Sequence, residues 1–297
     1  MSKASLITSV RQRLNNIARE SKVDFNTVQL RYVQERFLYR LSQSTYKNAF
    51  ILKGALLFLA YDVPTLRPTK DIDFLGSNLT NDADELKEII KEICAFEVED
   101  AVEFDAESIE VENISIDRLY PGNRIKIIAK IGSARINLQL DLGYGDIVVP
   151  EPVEIEFPQL LDFEIPVIKT YSLESAIAEK FEACVKLNFN TSRMKDFYDI
   201  YKLASHNSFD SLKLAEALTE TFKNRSTSLD DRKVIFTNVF KSDENKQAQW
   251  KAFHNRTGLS TDYDFSGTIV KIKVFIDGCF VEKETLKKWN PTNWQWE

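Results

Sequence analysis

Between residues 50 and 75 the chain passes from an apolar run, Phe50-Ile-Leu-Lys, through Gly54 into Ala55 to Tyr61, and then reaches Asp71-Ile-Asp-Phe-Leu. The first part reads as a strand, a glycine turn and a helix. Glycine removes side-chain bulk at such a junction, so free N–H groups at the start of the helix can receive phosphate oxygens. In the second part acidic and apolar residues alternate. Side chains of a strand point to opposite faces in turn, which sends Asp71 and Asp73 one way and Ile72 and Phe74 toward a core. The fold must therefore contain a sheet that is apolar on one side and carries two neighbouring carboxylates on the other.

The flanking segments complete an α+β pattern. Apolar residues recur at helical spacing over Leu6 to Ala18 and Phe25 to Leu41, with Asp24 as N-cap of the second helix. Pro64 and Pro68 bracket a loop ahead of the acidic strand, and Ala83 to Ala95 reads as a helix. Ser108 to Asp117, Arg124 to Ile131 and Ala134 to Leu142 read as strands, with turns at Pro121-Gly-Asn and Gly132-Ser. Beyond Pro150, Pro152, Pro158 and Pro166 the pattern becomes helical: Ser172 to Leu187, Arg193 to Ala204, Ser208 to Phe222 and Glu244 to Phe253. The expected organisation is N-terminal helices in 1–48, a mixed sheet with a mainly antiparallel portion in 49–170, and a helical C-terminal domain in 171–297.

Composition narrows the chemistry. With 43% hydrophobic and 28% charged residues the chain is globular, and its two histidines and three scattered cysteines supply neither a histidine metal site nor a disulfide framework. Any catalytic metal must be held by carboxylates. Paired acids beside nucleotide phosphates suit magnesium or manganese, hard cations that prefer oxygen ligands. The net charge of −6 argues against a general nucleic-acid coat, although the first fifty residues are basic. Arg11, Arg13, Arg19, Arg31, Arg36 and Arg40 there form either solvated helix faces or a local guide for a phosphate-rich partner. Lys3, Arg11 and Arg13 interrupt the N-terminus without an apolar run, and no stretch approaches the roughly 18 apolar residues of a membrane span, so a cytoplasmic location is expected.

Other residues extend the site. On the strand ending at Leu142, Arg135, Asn137, Gln139 and Asp141 share the polar face. Asp141 is either a third carboxylate, as metal ligand or general base, or an acid capping the turn before Gly143. Lys180 falls inside the apolar stripe of its helix and needs an anion, either a triphosphate or a structural carboxylate. Asp199 is spaced for surface pairing with Lys195 and Lys202, whereas Asp196, one turn from Arg193, lies at the buried edge and is expected to orient Lys180 or Arg193. Tyr120, Tyr144, Trp250, Trp289, Trp294 and Trp296 either stack on bases or pack, and the Trp289 to Trp296 segment is a possible surface for a protein partner.

In order, Gly54, Asp71-Ile-Asp73 and Asp141 resemble the layout of the DNA polymerase beta-like nucleotidyltransferase superfamily. The stretches Glu35-Arg-Phe-Leu-Tyr-Arg-Leu-Ser-Gln-Ser, Leu52-Lys-Gly-Ala-Leu-Leu, Arg67-Pro-Thr-Lys-Asp-Ile-Asp-Phe-Leu-Gly, Glu179-Lys-Phe-Glu-Ala and Arg193-Met-Lys-Asp-Phe-Tyr-Asp-Ile-Tyr are similar to the AbiEii/AbiGii toxin family. That resemblance implies a nucleotidyltransferase toxin of a toxin–antitoxin or phage-defence module, transferring an NMP from an NTP and acting with a cognate antitoxin. Relatives of the MenT type imply tRNA as acceptor. The family resemblance implies Gly54 at the phosphate turn, Asp71 and Asp73 as metal ligands, and catalytic roles for Lys180 and Asp196; to these the reading of the residues adds Asp141 as the third metal-binding acid and Lys53, Ala55, Lys70, Lys180 and Arg193 as nucleotide contacts. Ala55 stands where the family's turn has a second glycine or a serine, so a serine hydroxyl is absent and backbone N–H groups must suffice, with Lys53 and Lys70 supplying positive charge. The alternatives are a catalytically silent fold that binds NTP or protein, and a glycosyltransferase using its paired acids on a nucleotide sugar; the upstream glycine turn and the Lys180 helix argue against the latter.

Overall fold

The computed structural model describes residues 2–61, 69–116, 120–280 and 286–297. Pro64, Arg67, Pro68 and the side chain of Tyr120 lie outside the described residues. The chain forms two compact units, the first made of Met1–Asp62, Pro68–Gly145 and Val153–Thr170, the second chiefly of Asp146–Pro152 and Tyr171–Glu297.

The first unit opens with α1 (Lys3–Ser21) and α2 (Phe25–Gln43). Asp24 caps α2 as expected, its carboxylate accepting from the N–H groups of Asn26 and Thr27. A mixed sheet follows: β1 (Phe50–Lys53), β2 (Asp71–Gly76), then α3 (Ala83–Cys94), β3 (Glu103–Ile116), β4 (Tyr120–Ile131), β5 (Ala134–Tyr144), β6 (Val153–Glu156) and β7 (Val167–Thr170). The strand order is β3-β4-β5-β2-β1-β7-β6, with β2–β5 and β1–β7 parallel and the remaining pairs antiparallel. Ile72, Phe74, Ile125, Ile127, Leu138, Leu140 and Leu142 form the apolar face and share a core with Val33, Phe37 and Leu38 of α2 and Leu86, Ile90 and Ile93 of α3. The α+β class read from the sequence is the class observed.

Three local expectations change. Pro121, Gly122 and Asn123 belong to β4 and make no turn: Asn123 pairs with Asn113 and Leu142, its amide donates to Asn113 Oδ1 at 2.8 Å, and its own oxygen accepts from Tyr144 at 2.8 Å. Side-chain bonds across three strands outweigh the local turn preference of this tripeptide. β6 and β7 were hidden by their brevity and by the prolines around them; β7 is recruited by β1 through the Leu52–Thr170 pairing. The helix after Gly54 is a 3-10 turn over Leu56–Tyr61, too short for the accumulated dipole of an α-helix, which weakens the expected phosphate-receiving terminus.

The basic residues of α2 are consumed inside the unit. Arg36 and Arg40 are buried, and both donate to Asp100, which is 0% exposed: Arg36 Nε at 2.9 Å, Arg40 Nη1 at 2.7 Å. Arg31 donates to Glu35 at 2.6 Å and to the Pro158 carbonyl at 2.8 Å, tying α2 to the loop between β6 and β7. Burial pushes the Glu35 carboxyl up to about 7, against the pull of Arg31 and the Leu160 N–H. These three arginines are neither solvated faces nor guides for a polyanion; they offset buried carboxylates.

The second unit contains α4 (Leu173–Leu187), α5 (Met194–His206), α6 (Ser211–Asn224), α7 (Arg232–Ile235), α8 (Asn238–Lys241), α9 (Glu244–Thr257), α10 (Phe265–Gly278) and the short pair β8 (Trp289–Asn290) and β9 (Gln295–Trp296). The sequence reading did not anticipate α10, because its Thr, Ile, Val and Gly content is poor in helix formers. The tryptophans are packing residues. Trp289, Trp294 and Trp296 donate to the carbonyls of Ala204, Lys271 and Phe275, and Trp289 and Trp296 contact the Phe275 ring. The C-terminal segment thus closes on its own unit through the rings proposed as a partner surface. Cys94, Cys184 and Cys279 are free thiols. Among the described residues no helix is long and apolar enough to cross a membrane.

Candidate functional site

Strand register assembles the acidic site. β1 and β2 pair Lys53 with Asp73, and β2 and β5 pair Asp73 with Asp141 and Asp71 with Gln139. The alternation that buries Ile72, Phe74, Leu140 and Leu142 turns all three acids to the opposite face, where Asp71, Asp73 and Asp141 each offer an oxygen within 4.8 Å of the others. Asp141 does not cap a turn, since β5 continues through Gly143 to Tyr144. Thr69 Oγ1 donates to Asp71 Oδ1 at 2.7 Å.

Gly54 is required by this arrangement. Its φ is +71°, a left-handed conformation, and a Cβ built on it would lie 1.9 Å from Asp73 Oδ2. The glycine's first role here is to let the backbone approach the Asp73 carboxylate. Ala55 is buried, Lys53 is half-buried opposite Asp73, and Lys70 is exposed.

Arg124, which the sequence reading did not single out, faces Asp141 across β4 and β5. Its Nε donates to Asp141 Oδ1 at 2.9 Å and its Nη2 to Oδ2 at 2.7 Å, while Gln139 Nε2 adds a bond to Oδ1 at 3.1 Å. The hydrogen bond to Asp141 raises the pKa of Arg124, although partial burial opposes this. The available signal was the tight Gly132-Ser turn: it opposes Ile131 and Ala134, and counting back along both strands from that pair brings Arg124 opposite Asp141.

Lys180, Arg193 and Asp196 belong to the second unit. Lys180 Nζ donates to Asp196 at 3.0 Å and to Asp199 at 2.8 Å, and Arg193 Nη1 donates to Asp196 at 3.0 Å. Lys180 thus has two carboxylate partners within its own unit. Asp199 is buried beside Asp196 and does not form the surface pair suggested by its spacing to Lys195 and Lys202; the apolar packing of α5 rotates it inward. Burial works against ionisation of Asp196, but Lys180, Lys195 and Arg193 prevail and bring its carboxyl from 3.8 to about 2. A depressed folded-state pKa stabilises above the unfolded value and is lost as pH falls through the folded one. Asp196 is therefore expected to contribute about 2 kcal/mol above pH ~4, declining toward pH ~2. Acid unfolding followed by circular dichroism checks this, since Asp196→Asn should flatten that part of the profile; an unchanged slope would contradict it.

A set of three carboxylates without nitrogen or sulfur donors fits a hard divalent cation, and the shared face of β2 and β5 would hold it through Asp71, Asp73 and Asp141. Without a cation, three like charges this close would repel.

A family model described as "Nucleotidyl transferase AbiEii toxin, Type IV TA system" matches residues 36–267. The crystal structure of JHP933 from Helicobacter pylori is similar at 15% identity, covering 85% of this chain and 91% of that one, with a TM-score of 0.48. A second H. pylori structure, described only provisionally as a nucleotidyltransferase, is also 15% identical, covers 86% of this chain and 96% of its own, and has a TM-score of 0.49. No curated protein sequence matches.

Proposed function

The chain belongs to the AbiEii nucleotidyl transferase toxin family of type IV toxin–antitoxin systems, and from that premise we propose that it uses magnesium or manganese to transfer an NMP from an NTP to a hydroxyl of tRNA, the bond to the α-phosphorus passing from pyrophosphate, which leaves, to the tRNA oxygen. The observation that carries the reading is the register that brings Asp71, Asp73 and Asp141 together over Gly54. A divalent cation held by these three carboxylates would offset the charge of the transferring phosphoryl group.

Asp71 and Asp73 are the metal ligands in this reading, and Asp141 completes the set. Gly54 keeps the Asp73 carboxylate where the strands aim it. Lys53, the Ala55 backbone and Lys70 are assigned to the nucleotide phosphates. The resemblance adds Lys180 and Arg193 as nucleotide contacts, both oriented by Asp196. Residues 49–170 are taken as the catalytic core, preceded by helices in 1–48 and followed by a helical domain in 171–297. The protein works in the cytoplasm under control of its cognate antitoxin.

Purified protein incubated with each labelled NTP, magnesium and total tRNA tests the proposal. Label should enter RNA from one preferred NTP and be absent with Asp71→Ala. Mg-NTP binding with no label in RNA or protein would overturn it in favour of a catalytically silent binding module.

A further inference from the structure

The position of Arg124 deepens the reading of Asp71, Asp73 and Asp141 as a cation site and rests on it. A carboxylate offers about four lone-pair positions on two oxygens. The Arg124 fork takes one position on each Asp141 oxygen and Gln139 takes a second on Oδ1. Three of the four positions are thus used within the protein, and the guanidinium places a positive charge beside the face that would hold a divalent ion. Binding of the ion to Asp141 and retention of Arg124 oppose each other, through shared lone pairs and through repulsion of like charges.

Register provides Arg124 with a second partner. On the β5 side it faces Asp141; on the β3 side it faces Glu112. Directly opposed side chains on neighbouring strands stand within about 4.5–5.5 Å at Cβ, so both carboxylates are within reach of one long side chain. Glu112 is 49% exposed and accepts from Lys126 at 2.7 Å, leaving its other oxygen available to a guanidinium, and Arg124 is 36% exposed, so rotation between the two acids needs no repacking of the core. Glu112 also adds to the electrostatic field that favours the charged guanidinium.

We infer that Arg124 is an exchangeable counter-ion: it holds Asp141 against premature cation binding, and it transfers to Glu112 when the cation takes that carboxylate. The two partners then act with opposite sign. Arg124 opposes cation binding, and Glu112 assists it by accepting the displaced guanidinium.

Manganese binding to the full chain, read from loss of the free Mn2+ paramagnetic signal at low ionic strength without nucleotide or acceptor, tests this apart from catalysis. Arg124→Gln is expected to bind Mn2+ about 3- to 10-fold more tightly, and Glu112→Gln about two- to threefold more weakly. Arg124→Lys should fall between wild type and Arg124→Gln, because one ammonium cannot hold both oxygens in a fork. In the Arg124→Gln background the Glu112→Gln effect should vanish. Unchanged or weaker binding in folded Arg124→Gln, with binding still abolished by Asp73→Asn, would overturn the exchange while leaving the cation site intact. Absence of Mn2+ binding in both wild type and Arg124→Gln would overturn the exchange and the cation site together.

Discussion

Gly54→Ala is expected to reduce nucleotidyl transfer at least ~100-fold, the scale associated with displacing a reacting group by about an ångström. The new methyl carbon would lie 1.9 Å from Asp73 Oδ2, 2.6 Å from its Cγ and 2.8 Å from its Cβ. Rotation about χ1 can carry only Cγ and Oδ2 away; the contact with Cβ, which the backbone fixes, needs a further shift of the Gly54 turn, because β2 is held by β1 on one side and by β5 on the other. The carboxylate therefore rotates off the position it shares with Asp71 and Asp141. The strain of alanine in a left-handed conformation, about 1–2 kcal/mol, lowers stability modestly and separates the two effects. Initial rates of label transfer and a urea unfolding curve check this. Asp73→Ala should lose at least as much activity, and the double variant Gly54→Ala/Asp73→Ala should be little worse than Asp73→Ala alone, because the two closest of the three contacts are with the carboxyl group that Asp73→Ala removes. Near-wild-type transfer by Gly54→Ala would show that Asp73 works in another position.

The same residues show how far sequence reasoning reaches. Asp71 and Asp73 were legible because strand alternation is local: two positions, one face. Asp141 was legible as a polar-face residue, but its meeting with Asp73 depends on β2 lying parallel to β5, a pairing of residues about seventy positions apart that no local pattern encodes. Arg124 depends on a hairpin register that was within reach from the Gly132 turn. Asp199 was misplaced because i, i+4 spacing to lysines describes a helix surface only when that face is exposed, and α5 is buried around Asp199. The basic run in α2 misled for a related reason: Arg36 and Arg40 find their counter-charge in Asp100, about sixty residues further along the chain, and only Arg31 has a local one in Glu35. Tertiary partners decided each of these cases, and they are the information that composition and periodicity lack.

Arg225 is the clearest instance of such a partner, and Arg225→Met is expected to destabilise the second unit by about 3–5 kcal/mol, the cost of leaving buried charge without its counter-ion. The guanidinium is 6% exposed and reaches three carboxylates: Asp146 at 2.8 Å, Glu179 at 3.1 Å and Glu182 at 3.1 Å. It joins the segment before α4, two positions on α4 and the end of α6, none adjacent in sequence to another group. With methionine in its place the three acids share one poorly solvated space, and repulsion must raise their folded-state pKa values above those of the unfolded chain. Raised acid pKa values reverse the usual sign: stability is highest below the unfolded values near pH ~4 and falls as pH rises through the folded values. The penalty should accordingly be larger at pH 7.5 than at pH 5 in paired urea titrations of variant and wild type. Arg225→Lys keeps the charge but not the fork, and should recover only part of the loss. A penalty below about 1 kcal/mol that is equal at both pH values would mean that water, not Arg225, balances these carboxylates.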